Sequence, residues 1–235
     1  MPAAPLVRPL LLAAEDLPPP PRQARSLAAR KRLKNTALTV FAEKGYERAS
    51  IDEIAQRADL AVGGFYLHFR SKRQLLLVLM DDLLEGLSQL DLHASSFADP
   101  RAAIHAILLH AFSRDPRYLG AYRAWQEAAL SDSELGQKGT AIHNWTTARI
   151  TKLFQVLHRQ PGARPEADIP NLARAMDTFF WSLLTQALFL PKRRLHQQLA
   201  AATHLIYHAL FSDPPSSVPS RTRRQAVKQP RKSSR

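Results

Sequence analysis

The sequence has no cysteine. Disulfides and thiolate metal sites are therefore excluded, and the absence suits a cytoplasmic protein. No stretch of 18 apolar residues is free of charge, so no membrane span is expected. The run Leu10 to Ala14 lies between Pro9 and Glu15 and is too short and broken for a signal peptide. β-branched residues are sparse and nothing alternates for long, which argues against strands. There is no internal repeat. The nine histidines never fall at ligand spacing with carboxylate partners. The nearest case, His204 and His208, sits at i and i+4 with no third ligand, so neither a metal nor a cofactor is expected. No activated nucleophile, carboxylate pair or phosphate loop is present, and the chain does not read as an enzyme.

What is present is apolar content and an uneven charge. Apolar residues make up 45% of the 235, ample for a core. The formal net charge is +13. Residues 22–72 contribute +6 and residues 212–235 another +6, whereas 1–21 carry −1 and 73–211 carry +2. Positive charge gathered in one segment is the footprint of a polyanion partner. Residues 1–21 hold seven prolines and little that could build a core, and read as a disordered tail. The Pro-, Ser-, Arg- and Lys-rich stretch 212–235 reads the same way.

Between the tails the pattern is all-α. A first helix runs from near Arg25 to Gly45, with Leu33, Ala37, Val40 and Phe41 as its buried stripe and Arg30, Lys31 and Lys34 facing out. Ser50 and Glu53 fit a capping box, and Ile51, Ile54 and Ala55 give the stripe of a short second helix. Ala58-Asp59-Leu60 is a turn, and a third helix spans about 61–67. Ser71 and Gln74 repeat the capping spacing before a fourth helix, from Lys72 to about Leu90. Asp99-Pro100 and Asp115-Pro116 start two more. Ser131 and Glu134 open a long one to about Arg159. Helices over about 169–190 and from Pro191 to Phe211 complete the set. The last two carry apolar residues on more than one face, which suggests a partner helix from a second subunit.

The short helix, tight turn and second short helix of residues 50–67 have the geometry that lets a helix enter a DNA major groove. The wording of the segment, F-A-E-K-G-Y at 41–46, D-E-I-A at 52–55 and F-Y-L-H-F-R-S-K at 65–72, resembles the DNA-binding domain of the TetR family of bacterial repressors. The match runs from about Arg30 to Leu75. The resemblance implies a helix-turn-helix domain over 22–72 and a helical effector-binding and dimerisation domain over 73–211. It also implies a homodimer that binds operator DNA and responds to a small molecule. Tyr66, His68 and Lys72 match the family's phosphate-contacting positions.

Ser50, at a helix start, is a phosphate contact or simply a cap. The recognition helix departs from the family pattern. Ala61 stands at the cap, and Val62, Gly63 and Gly64 stand where polar base readers are usual. Readout then falls to Val62 against a thymine methyl, to backbone groups, and to Gln56 or Arg57 of the preceding helix. For an apolar effector pocket the candidates are Trp125, Gln126, Trp145 and Phe179. An alternative is a non-sequence-specific, architectural DNA-binding protein, favoured by the basic tail and disfavoured by the apolar body.

Overall fold

Side-chain caps set most of the helix starts in the computed structural model, which describes residues 7–13, 15–89, 99–112, 117–187 and 189–212. These residues form α1 (Ala24–Lys44), α2 (Ile51–Arg57), α3 (Val62–Tyr66), α4 (Lys72–Ser88), α5 (Pro100–Phe112), α6 (Arg117–Ala129), α7 (Ser133–Leu157), α8 (Ile169–Ala187) and α9 (Lys192–Leu210). Ser50 Oγ accepts from the Glu53 N–H at 3.2 Å and Ser71 Oγ from the Gln74 N–H at 3.1 Å. Asp99 Oδ1 accepts from Arg101 and Ala102. Both capping boxes form only their first half. Glu53 turns instead to Lys44 and Arg57, each at 2.8 Å. Gln74 Oε1 accepts from the Arg70 N–H, one residue before the cap. The cap of α7 is Asp132 rather than Ser131. Its carboxylate accepts from the Glu134 and Leu135 N–H groups, while the Ser131 hydroxyl donates back to the Ala128 carbonyl.

The expected stripe of α1 is buried throughout: Leu33, Ala37, Val40 and Phe41 are all closed off from solvent. Two residues assigned to its outer face are turned inward. Arg30 lies 4.7 Å from the centre of the Phe69 ring and donates to the His68 carbonyl, and Lys34 pairs with Asp82 of α4. The reason is that α4 packs along α1, so long basic stems cover apolar surface and find partners across it. Gly45, at φ +77°, ends α1 in a conformation that suits glycine.

One core runs without a break from the small N-terminal head (α1–α3) through α4, α6 and α7 to Trp181 of α8. The boundary expected at residue 72 is therefore a change of role rather than a gap in packing, because α4 belongs to both parts. A second cluster gathers Ile104, Leu153, Phe154, Ile206, Leu210 and Phe211 where α5, α7, α8 and α9 meet. Among the described residues there is no strand, only an isolated bridge between Ala163 and Phe211. None of their helices is long and apolar enough to cross a membrane.

The expected N-terminal tail is corrected over residues 7–13 and 15–21. Leu11 is 1% exposed within the main core, and Arg8 pairs with Asp81 at 2.9 Å. Proline-rich sequence still docks when one apolar side chain and several charges find fixed partners. The basic tail lies outside the described residues from 213 onward.

Candidate nucleic-acid interface and effector cavity

Ala58 ends α2, and Asp59 takes φ +56° to turn the chain. Ala61 starts α3 with no side-chain cap, as its methyl group dictates. Phe65 and Phe69, four apart, are both fully buried and anchor α3 in the head. Val62, Tyr66 and Leu67 face outward, whereas His68 does not. Val62 is 38% exposed, Tyr66 50% and Leu67 72%. A Cβ at Gly63 would meet nothing within 4 Å, and Ser50 and Gln56 are exposed as well. Gly64 is half-covered by Leu60. The structure thus brings Ser50, Gln56, Val62, Gly63 and Tyr66 to the outside of the helix-turn-helix, and adds Leu67. Sequence reasoning passed over Leu67, although the spacing of Phe65 and Phe69 leaves positions 66 and 67 outward.

Two of the expected phosphate-contacting residues are placed differently. His68 is buried, its carbonyl is held by Arg30, and its Nδ1 has no hydrogen-bond partner within the head. Burial, reinforced by the nearby Arg30 charge, holds this imidazole below the ordinary histidine range and hence neutral near pH 7. Lys72 acts as a staple. Its Nζ donates to the Tyr46 and Ala49 carbonyls at 2.7 and 2.9 Å and lies 4.2 Å from the Tyr46 ring centre. Burial lowers its pKa despite Glu47 and Glu127 nearby. Arg57 is likewise tied, to Glu43 and Glu53, which narrows its use for base reading.

The head is clamped to the body through α6. Glu127 accepts from the Tyr46 N–H at 2.6 Å and the Glu47 N–H at 3.2 Å. Gly120 lets α6 lie against α1, since a Cβ there would stand 2.5 Å from that of Ala42.

A cavity of about 880 Å³, including its open mouth, lies among α4, α5, α7, α8 and α9. Its walls are almost wholly apolar, built from Ile104, Ile107, Phe112, Phe154, Phe180 and their neighbours, with Thr146 and Arg149 as polar points. Trp145 and Phe179 line it as expected. Trp125 and Gln126 do not. Trp125 is buried in the core, beside Gly139, and Gln126 donates to the Tyr122 hydroxyl. Both sit on α6, none of whose residues lines the cavity. Behind Thr146 is a buried carboxylate that the sequence did not reveal. Asp177 takes hydrogen bonds from Thr146, from Trp181 Nε1 at 3.2 Å and from His143 Nδ1 at 2.8 Å. The Trp181 ring lies against that of Tyr122 of α6, centroids 4.3 Å apart and tilted by 33°. No group of three His, Asp or Glu residues among those described could hold a metal; the His204 and His208 rings contact each other edge to face.

A helix-turn-helix head rigidly mounted on a helical body that encloses an apolar cavity defines a recognisable class of fold. Residues 34–79 match the family model described as bacterial regulatory proteins, tetR family. Over 204 residues the chain is 28% identical to the HTH-type transcriptional regulator EthR of Mycolicibacterium smegmatis, covering 83% of this chain and 88% of that protein. It is 39% identical to the A-factor receptor protein of Streptomyces griseus over 61 residues, 26% of this chain. The chain spans only 22% of the length of that protein. Among solved structures, the SmeT–triclosan complex superposes with a TM-score of 0.62 at 21% identity, covering 82% of this chain and 97% of that one. Residues 34–79 thus match the tetR family of bacterial regulatory proteins, and the similarity to EthR extends over most of the chain.

Proposed function

We propose that the protein is a homodimeric transcriptional regulator, a repressor, acting in the cytoplasm. It binds a pseudo-palindromic operator in duplex DNA and is released from it by a small, largely apolar effector. The observation that carries this reading is the exposed α3 of a helix-turn-helix joined to a body with an apolar cavity. The solved SmeT complex, named for its bound triclosan, supports the ligand half of the reading. The second subunit is expected on the outer face of α8 and α9, where Leu205 is 59% exposed beside a shallow groove containing Phe179, Ser182 and Gln186. Two-fold symmetry then sets two copies of α3 on one face of the duplex.

Effector entry is expected to act through contacts already described. Thr146 and Trp145 form part of the cavity wall. Trp181 joins Thr146 to Tyr122, and α6 carries Glu127, which holds the turn after α1. A ligand that shifts α7 or α8 therefore moves the head through α6, provided it binds the two arrangements with different affinity.

Selection of bound duplexes from a random pool, followed by footprinting, tests the DNA half. A short two-fold-related site is expected; uniform protection without a preferred site would favour the architectural alternative. Titration with triclosan, as an apolar aromatic probe, tests the cavity. Quenching of intrinsic fluorescence that disappears in Trp145→Phe is expected, and no binding by any apolar probe would remove the effector half.

A further inference from the structure

The N-terminal segment, residues 7–13 and 15–17, runs along α4 and is fastened at several points. Near its start, Arg8 pairs with Asp81 at 2.9 Å and Glu85 at 3.6 Å and donates to the Asp81 carbonyl. Leu11 is buried in the main core, and its carbonyl accepts from Lys138 of α7 at 3.0 Å. Glu15 pairs with Arg73 at 2.8 Å. The Asp16 carbonyl accepts from Gln74 Nε2 and Arg70 Nε, and its carboxylate pairs with Arg70 at 2.8 Å. Arg73 is the knot. Besides Glu15 it holds Asp132, the cap of α7, and Glu134 of its first turn, each at 2.7 Å. One guanidinium at the point where α4 leaves the head thus joins the segment to the start of the helix that walls the cavity.

We propose that this segment is a strap, with Arg73 as its positioning residue, which fixes the angle of the head on the body. In the dimer of the proposed function, on which this inference rests, that angle sets the separation of the two α3 helices. The strap therefore determines the half-site spacing the protein accepts. Half-sites read from one face lie about one helical turn apart, roughly 34–36 Å, and each added base pair both lengthens and rotates the site. A rigid pair of heads cannot follow that change; a pair released from the strap can. The ion pairs are suited to the task. Glu15 and Arg73 are 12% and 26% exposed, and Arg73 spreads its donors over three carboxylates, so the knot is better shielded and more directional than a lone surface pair.

The test uses the full chain and the duplex selected by the wild type, with versions lengthened and shortened by one central base pair. In Glu15→Gln/Asp16→Asn, Arg73 keeps Asp132 and Glu134, and α7 keeps its cap. The wild type is expected to prefer the selected spacing over both altered ones. In the variant that preference should fall at least threefold, chiefly because the altered spacings bind better. A strap that only added stability would lower the melting temperature and leave the spacing preference where it was; that result overturns the proposal. Glu166→Gln, which removes an ion pair remote from the strap, should leave both unchanged. Should the double variant melt below the assay temperature, Leu11→Ala loosens the strap at its buried anchor and carries the same expectation. A wild type indifferent to spacing would overturn this proposal and the dimeric reading together, whereas a preference that persists in the variants overturns this proposal alone.

Discussion

Lys72 shows how a residue's neighbours decide its work. Its resemblance-based role is a phosphate contact, yet two of its three N–H donors are already given to the Tyr46 and Ala49 carbonyls. Leaving carbonyls without their charged donor costs about 1–3 kcal/mol. Lys72→Met should accordingly lower the stability of the chain by about that amount, read from denaturant unfolding, and should weaken specific and random duplexes alike. An unchanged unfolding midpoint would show that the staple contributes nothing. On α3 and its C-cap the outward side chains Val62, Tyr66 and Leu67 present one hydroxyl and otherwise only carbon. Apolar groups distinguish thymine by its C5 methyl. Replacing thymine by deoxyuridine under these residues should weaken operator binding about fourfold per methyl lost, the value of roughly one buried carbon. Val62→Ala should blunt that discrimination. Equal binding to the thymine and uracil duplexes would mean that bases are read by other groups.

At the scale of helices, the last two separate what is left exposed from what faces the chain's own core. The apolar run 205–211 was expected to meet a second subunit. The structure divides it: Leu205 is exposed, whereas Phe211 is 2% exposed, stacks on Tyr207 at 5.1 Å and closes the second core cluster. Leu205→Glu should therefore yield folded monomers in sedimentation at micromolar concentration. Phe211→Ala should leave the dimer in place and cost about 3–5 kcal/mol of stability, the usual price of emptying a buried aromatic site. Monomers from the Phe211 variant at full helicity would reverse this assignment.

For the whole molecule, charge and connectivity matter more than any single contact. Residues 212–235 carry seven basic residues against one acid, and the head carries most of the remaining excess. Non-specific binding is largely electrostatic and falls steeply with salt. A chain ending at Phe211 should lose affinity for random duplex most at low ionic strength, while its preference for the selected operator holds or rises. Unchanged random-duplex affinity at low salt would show that this stretch does not touch DNA.

Much of the architecture was legible because it rests on local chemistry. The helix starts at Ser50, Ser71 and Asp99, the stripe of α1 and the helix-turn-helix between residues 50 and 67 follow from caps, periodicity and turn residues that act within a few positions. The α7 cap moved by one residue, since Ser131 and Asp132 compete for the same N–H groups and only the geometry of the preceding turn settles between them.

What the sequence by itself determined was the all-α fold, the tetR-like segment, and which residues would form the helix-turn-helix, since each depends on patterns written within a helix or two. Tertiary structure alone decided the rest. It buried His68, turned Lys72 inward, seated Leu11 in the core, left Trp125 outside the cavity and brought Asp177 behind Thr146. Each of these depends on residues tens of positions apart finding one another, and no local pattern records which buried group will be beside which.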